Sequence, residues 1–373
     1  MIQIIDEGIV FTGVPGGSTN HCGFPGITVL SEGTLMSCWR VGSAKDSADG
    51  TIYVAHSFDQ GKSWSQPFAP YSTMWNGTPG DLHACKFTDL GGGHLLACLM
   101  WFDRSDPSLP MFNPQTEGIL PVKVLFSRSA DNGHTWGPLW ALDDSPYGAT
   151  LAMTGPVVVL PDNRWLCQFE VNKTYHDPLP WQHQAAIKFS ADEGRSWSPP
   201  TIVACDPNAR IRYWDQRQAL APDGRCWAAF WTFDSASSSD LNITLSSSRD
   251  GGRTWSSPRD TGVPGQVPYP IILSDDRMLL LSVDRYQDPS IRARLIHLDE
   301  CRVETNECII YRHQTPAKDP GQSVDSNADH LQQQQHWTFG LPCGVADRAG
   351  DVWITYYNAG GDAAKIHWAR LRC

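Results

Sequence analysis

The chain of 373 residues carries 29 Lys and Arg against 40 Asp and Glu, for a formal net charge of −11. With no Lys/Arg run, that balance argues against nucleic acid and anionic membrane as partners, and no apolar run reaches the roughly 18 residues of a transmembrane helix. Only 18% of residues are charged, while 32 Gly, 27 Pro and 16 Trp are present, a mix that favours short strands and turns over helices.

The first segment, "MIQIIDEGIVF", has no basic n-region and no small-residue cleavage site, so it reads as a strand rather than a signal peptide, and a cytoplasmic location is expected. From there a unit of apolar run, tight turn and apolar run recurs six times. The copies are "GITVLSEGTLMSCW", "ACKFTDLGGGHLLACLMW", "GPVVVLPDNRWLCQF", "RQALAPDGRCWAAFW", "YPIILSDDRMLLLSV" and "LPCGVADRAGDVWITYY". The first four are each followed by a turn of the form S-x-D-x-G-x-[ST]-W: Ser57–Trp64, Ser129–Trp136, Ser190–Trp197 and Ser248–Trp255. In such a turn Ser and Asp bond the backbone, Gly takes positive φ, and the indole is available for burial.

Six hairpins, each extended by a further strand pair, predict one all-β domain over residues 1–373. It is a six-bladed β-propeller of four-stranded antiparallel blades. The N-terminal strand is expected to close the last blade against "AKIHWARL". The linker from Arg302 to Gln335 is expected to precede blade six. The repeated turn is the Asp box, expected between the third and fourth strands of a blade, with Trp64, Trp136, Trp197 and Trp255 buried between blades. Its Asp residues, Asp59, Asp131, Asp192 and Asp250, are structural on this reading. Eleven Cys is an odd number without C-x-x-C spacing, so no zinc framework and no metal site are expected. The thiols read as free and buried, with a hairpin disulfide between Cys301 and Cys308 as the less favoured alternative. No cofactor is expected.

Up-and-down topology puts the Asp boxes on one face. The starts of the inner strands and the loops after the second strands lie on the other, where the long insertions "FDRSDPSLPMFNPQTEGIL" and "VNKTYHDPLPWQHQ" also fall. Inner-strand starts on that face offer His21, Asp81, His83, Thr154, Gln266, Tyr269 and His336, together with Arg210, Arg212, Tyr213, Asp215 and Arg217 of "RIRYWDQR". Alternation puts Tyr213 and Asp215 on one side of that strand and Arg210 and Arg212 on the other. Second-strand ends add Arg40, Trp101, Glu170, Arg285 and Tyr356, among others. Carboxylates, Arg, His and Tyr converging there can do acid–base chemistry on a polar sugar, and Trp can stack on its ring.

The boxes and the first blade, "CGFPGITVLSEGTLMSCWRVGSAKDSADGTIYVAHSFDQGKSW", resemble the sialidase (neuraminidase) superfamily. Pro25, Gly33-Thr34-Leu35 and Arg40 fall in the family's order, and Asp46 falls on the position of its acid/base Asp. The resemblance implies an exo-glycoside hydrolase acting on a terminal, acidic sugar. The family's three carboxylate-binding Arg positions carry Gly23, Trp231 and Arg292 here. Its nucleophilic Tyr is replaced by the Tyr-free "HWTFGLP", and its assisting Glu falls near Asp215. The site expected on these grounds has Asp46, Asp215 and Tyr213 as catalytic groups. Substrate would be bound by Arg40, His21, His83, Trp101, Arg212, Arg217, Tyr269, Arg285, Arg292 and His336. A polysaccharide lyase, with Tyr213 or His83 as base, and a non-catalytic glycan-binding propeller are the alternatives.

Overall fold

The computed structural model describes residues 1–273, 276–314, 331 and 336–373. Six antiparallel sheets follow one another along the chain as the blades of a propeller. Blade one contains β2 (His21–Val29), β3 (Leu35–Gly42) and β4 (Thr51–Ser57); its fourth strand is reduced to a bridge between Val54 and Phe68. Blade two runs β5 (Gly80–Gly91), β6 (His94–Asp103), β7 (Val122–Ser129) and β8 (Trp140–Ala141). In blade three the inner strand is split into β9 (Leu151–Met153) and β10 (Val158–Val159). Both pair with β11 (Trp165–Val171), which β12 (Gln184–Ser190) and β13 (Thr201–Cys205) extend.

Blade four holds β14 (Ile211–Leu220), β15 (Cys226–Asp234), the short β16 (Ser239–Asp240), β17 (Thr244–Ser248) and β18 (Arg259–Asp260). Blade five holds β19 (Gln266–Ile272), β20 (Arg277–Asp284), β21 (Ser290–His297) and β22 (Arg302–Arg312). Blade six holds β23 (Phe339–Ala346), β24 (Val352–Asn358) and β25 (Lys365–Arg372), and β1 (Gln3–Thr12) adds to its outer edge in antiparallel register, Gln3 opposite Arg372 and Thr12 opposite Lys365.

The segment expected as a linker is corrected here. Arg302–Arg312 is the outer strand of blade five, paired with β21, and the rest of that stretch from 315 lies outside the described residues apart from residue 331. Its charged, half-exposed sequence, "RVETNECIIYR", hides a strand because an outer edge needs little apolar alternation. Cys301 and Cys308 are free thiols, so the bridge between them does not form.

The apolar core is a series of wedges between neighbouring blades. One joins Met36 and Val54 of blade one to Leu82 and Leu95 of blade two; another joins Trp353 and Trp368 of blade six to Trp39 of blade one. The Asp boxes brace these wedges from one face, and the same four bonds recur in each. In the first, Ser57 Oγ donates to Asp59 Oδ1 (2.9 Å) and accepts from the Gly61 amide (2.8 Å). Asp59 also accepts from the amide of Ser63 (2.9 Å) and from its hydroxyl (2.6 Å). Asp131, Asp192 and Asp250 repeat the pattern, and the donated hydrogen bonds, led by the Thr or Ser hydroxyl, hold each of these carboxyls down at about 2.

The four box tryptophans are half-buried rather than buried. Trp197 reaches the previous blade, stacking on Phe126 at 5.3 Å, and Trp136 lies in the wedge of blades one and two, stacked on Phe87 at 5.1 Å and edge-on to Tyr71 at 5.6 Å. The deeper inter-blade contact is the box glycine. A Cβ on Gly61 would stand 2.5 Å from the Trp368 indole of blade six, and one on Gly252 would stand 3.1 Å from Phe189 of blade three.

Gly61 has φ +85° as well as this close approach. Gly61→Ala should therefore lower stability by about 1–3 kcal/mol through backbone strain and overpacking. Denaturant unfolding would register that loss, with ligand binding at the opposite face unchanged once the variant is folded.

Candidate functional site

Register fixes which face holds the site. His21 pairs with Gly42 and Val41 with Thr51, so the loop 43–50 lies at one end of blade one; Leu35 pairs with Ser57, so the Asp box lies at the other. Both long insertions leave from the Asp46 end, after Asp103 and after Val171. They bond to each other, the Ile119 amide to the Lys173 carbonyl (3.0 Å) and the Asn113 side chain to the Tyr175 carbonyl (2.9 Å), and together build a rim.

A cavity of about 140 Å³ opens on this face. Its position depends on one irregularity repeated around the ring. The pairing of each inner strand with its neighbour shifts register at Gly23/Gly26, Leu82/Ala84, Trp214/Arg217, Gln266/Tyr269 and Gly340/Cys343, and in blade three the inner strand is interrupted after Met153. An inserted residue bends a strand and re-aims a side chain. Phe24, His83, Thr154, Asp215 and Leu341 sit at these irregularities, and all five line the cavity. Phe24, Asp215 and Leu341 have left-handed backbones, with φ of 52°, 50° and 49°.

Three carboxylates reach the cavity. Asp46 comes from the blade-one loop, Glu170 from the end of β11 and Asp215 from β14. Asp46 is held by Lys45, whose Nζ lies 3.2 Å from Oδ1, and faces His83 Nε2 at 3.6 Å. Burial acts to raise its pKa, but Lys45, His83 and Arg40 outweigh it and keep the carboxyl below the usual range. Burial depresses His83 despite the carboxylates of Asp81 and Asp46 beside it, so the imidazole is neutral at neutral pH. On the far side the Asp215 amide donates to Glu170 Oε1, and Arg217 pairs with Asp215 Oδ1 at 2.8 Å. His183 accepts the Tyr213 amide at Nδ1 (3.4 Å), which leaves its Nε2–H facing Glu170 Oε2 at 3.4 Å.

The rest of the lining is aromatic and apolar. Trp181, Trp214, Trp231 and Trp337 form one wall, and Phe102 and Phe112 help form the other. Trp231 Nε1 donates to Asp240 Oδ1 (2.6 Å), and Gln266 donates to the other oxygen of that carboxylate (2.5 Å). Burial lifts Asp240 to about 6, against those two hydrogen bonds. Among the described residues no three His, Cys, Asp or Glu side chains converge to hold a metal ion.

Of the residues expected on this face from sequence, Thr154 and Glu170 line the cavity, and of the expected catalytic and substrate-binding set Asp46, Asp215 and His83 do so and the others do not. Tyr213 packs edge-on against Phe230 at 5.6 Å, because the bulge at Trp214–Arg217 breaks the alternation that would have kept it beside Asp215. Arg40 is 0% exposed; it donates to the carbonyls of Ala44 (2.9 Å) and Ser47 (2.6 Å), so it holds the Asp46 loop instead of a ligand. Arg212 is buried behind Trp181, 4.6 Å from its ring, and paired with Glu117 at 2.8 Å. Arg217 is engaged by Asp215, as above. Arg285 lies 3.9 Å beneath the Trp337 ring and donates to Gln266 (2.9 Å) and to the Phe339 carbonyl (2.5 Å).

Arg292 belongs to the outer half of blade five, paired with Asp288 and Glu307. Trp101 donates to the Thr73 carbonyl (2.8 Å) in the wedge between blades one and two. Tyr269 packs beside Cys343 in the wedge of blades five and six. His21 and His336 line a neighbouring depression of about 360 Å³ that shares Lys45 and Trp337 with the central cavity. Lys45 and Asp240 escaped the sequence reading. The bulges did carry a signal, since Pro25, Pro268 and Pro342 each stand in an inner strand at the register shift, where proline marks a bulge.

A protein-family model described as a BNR repeat-like domain matches residues 33–295, and the chain belongs to that family. No curated protein matches it. A protein of unknown function from Dyadobacter fermentans has the same fold, with a TM-score of 0.73 at 18% identity, over 100% of this chain and 99% of that one. A Hadza microbial sialidase gives 0.69 at 17% identity over 95% of this chain and 66% of its own length. A leech intramolecular trans-sialidase gives 0.67 at 11% identity over 98% and 70%.

The electrostatics of Asp46 are open to direct test. Its carboxyl should titrate below the ordinary value of 3.8 in carbon-detected NMR, and Lys45→Met should move that titration upward. A depressed folded pKa stabilises the fold above the unfolded value and loses that contribution as pH falls through the folded one. Lys45→Met should accordingly flatten the acid-side dependence of stability below about pH 4.

Proposed function

We propose that this protein is a glycoside hydrolase working at the central cavity, with Asp46 and Glu170 as its two acting carboxylates. The observation that carries the reading is the approach of carboxylates from opposite sides of one aromatic-lined cavity, Asp46 from blade one and the Glu170–Asp215 pair from blades three and four. Likeness of fold to proteins named as sialidases supports the hydrolase class. Asp46 is ionised in the free protein, which suits a base better than the acid role that the sialidase resemblance implies. On this reading Asp46 takes a proton from water. The water oxygen bonds to the anomeric carbon as the bond to the leaving oxygen breaks, and Glu170 gives that oxygen a proton. Asp215 holds Glu170 through its own backbone amide, and Trp181, Trp214, Trp231 and Trp337 receive the sugar ring. The lyase alternative is less well supported: Tyr213 faces Phe230, which leaves it His83 as base, and the arginines that would neutralise a uronate are engaged elsewhere.

Asp46→Asn leaves the largely buried Lys45 without its carboxylate and should melt below the parent, and the folded variant should lose about 10²–10⁴-fold in kcat; Glu170→Gln should lose a comparable factor. The acid limb of kcat/KM should fall below the ordinary carboxylate range and shift to higher pH in Lys45→Met. A limb on the alkaline side that depends on Asp46 would instead make it the acid. Products that absorb in the ultraviolet as unsaturated uronates would convert the reading to a lyase.

A further inference from the structure

We infer that the glycosyl residue bound in the central cavity is uncharged, a neutral hexose or N-acylhexosamine, and not a sugar acid. The inference rests on the glycosidase reading above and adds the chemical class of the substrate to it. A carboxylate-bearing sugar needs an exposed guanidinium fork or an equivalent cluster of cations. Among the described residues the only cation lining this cavity is Lys45, and Asp46 occupies it at 3.2 Å. The lining's other acidic groups are Glu170, the proton donor of the reading above, and Asp215, which holds Arg217 at 2.8 Å, so among the described residues no unengaged cation is offered to a sugar carboxylate.

The arginines nearest the cavity lie behind its walls. Arg212 stacks on the far side of Trp181 and is paired with Glu117, and Arg285 lies under Trp337 with two of its nitrogens bonded to Gln266 and Phe339. Each guanidinium thus lies against an indole of the cavity lining and does not itself line the cavity. Trp231 is fixed by its bond to Asp240 and packs edge-on against Trp214 at 4.8 Å, so it cannot readily swing away to admit a cation. At Gly23 a Cβ would stand 2.9 Å from the His21 ring, so a side chain there would have to displace that imidazole. What remains is a wall for the apolar face of a sugar ring, with carboxylates able to accept hydrogen bonds from its hydroxyls.

The test pairs turnover with binding. The purified full chain is offered 4-methylumbelliferyl glycosides of galactose, glucose, N-acetylglucosamine and N-acetylgalactosamine, beside those of sialic and glucuronic acid. The same protein is applied to a printed array carrying neutral, sialylated and uronate-terminated glycans. The expected result is hydrolysis of at least one neutral glycoside, abolished in Asp46→Asn, at least about 100-fold faster than any acidic one. Trp337→Ala, which uncovers Arg285, should narrow that ratio. Asp46-dependent hydrolysis that favours sialosides or glucuronides would overturn the inference and leave the hydrolase reading standing. Neutral glycans bound on the array with no turnover would uphold the inference and remove the hydrolase. Binding of acidic glycans alone without turnover, or no binding and no turnover at all, would overturn both.

Discussion

The inner strand of each blade has two duties that regular pairing cannot meet together. It must stay hydrogen-bonded to the second strand along its length, and it must turn side chains toward the axis of the ring. An interruption of the pairing in every inner strand reconciles them. At four of these places the backbone enters the left-handed region at a residue other than glycine, Phe24, Asp215, Val267 and Leu341, and such residues cost of order 1–3 kcal/mol each. The cost is met by packing in the wedges between blades, where side chains such as Trp231, Phe233 and Leu281 are almost wholly buried. The outcome is a set of cavity residues whose directions are set by backbone geometry, which is how a site becomes pre-organised.

The same logic governs Asp46, which sits on a loop and has no strand to aim it. Arg40 is fully buried and needs acceptors; it finds them in the carbonyls of Ala44 and Ser47 on either side of Asp46. Asp81 lies between Arg40, Arg104 and His83, and Arg104 also donates to the Asp46 carbonyl (3.0 Å). A buried guanidinium with these partners is expensive to disrupt, because removing one partner leaves a charge uncompensated. Gly50 makes the arrangement possible, since a Cβ there would stand 2.5 Å from Arg40 Nε. The arginine that the first-blade motif contributes is therefore a support for the loop, and its charge reaches the cavity only as a field that keeps Asp46 ionised.

The repeat was legible because the Asp box depends on local chemistry: a Ser, an Asp and a Gly at fixed spacing make the same bonds whatever surrounds them. The hairpins were legible for a similar reason, apolar strands flanking turn residues. Where sequence reasoning failed, the missing quantity was direction. Alternation along "RIRYWDQR" predicts Tyr213 beside Asp215, and the bulge separates them. Arginine at a strand end says nothing about whether it faces a ligand or the back of a tryptophan, as Arg212 and Arg285 do. The strand Arg302–Arg312 was hidden by its outer-edge composition. Lys45 drew no notice beside Asp46, although it sets that residue's charge.

Frame and site are built at opposite ends of the same strands, and this separation explains how a sialidase-like propeller can carry Gly23 and Trp231 where the resemblance expects arginines. The inter-blade wedges and the Asp boxes that brace them need no residue at those two positions to be charged. Trp231 instead extends the wedge of blades four and five up to the cavity, packing on Trp214 below and meeting Trp337 at 5.6 Å. Asp240 then has a definite task. The indole N–H of a tryptophan brought to the edge of the core needs an acceptor, and Asp240 supplies it. A change from guanidinium to indole at this one position removes a cation, adds an apolar wall and calls for an acidic partner behind it. One missing arm of the clamp and one indole of the aromatic side are thereby consequences of a single residue, while the raised pKa of Asp240 comes from its burial, against the bond that Trp231 donates.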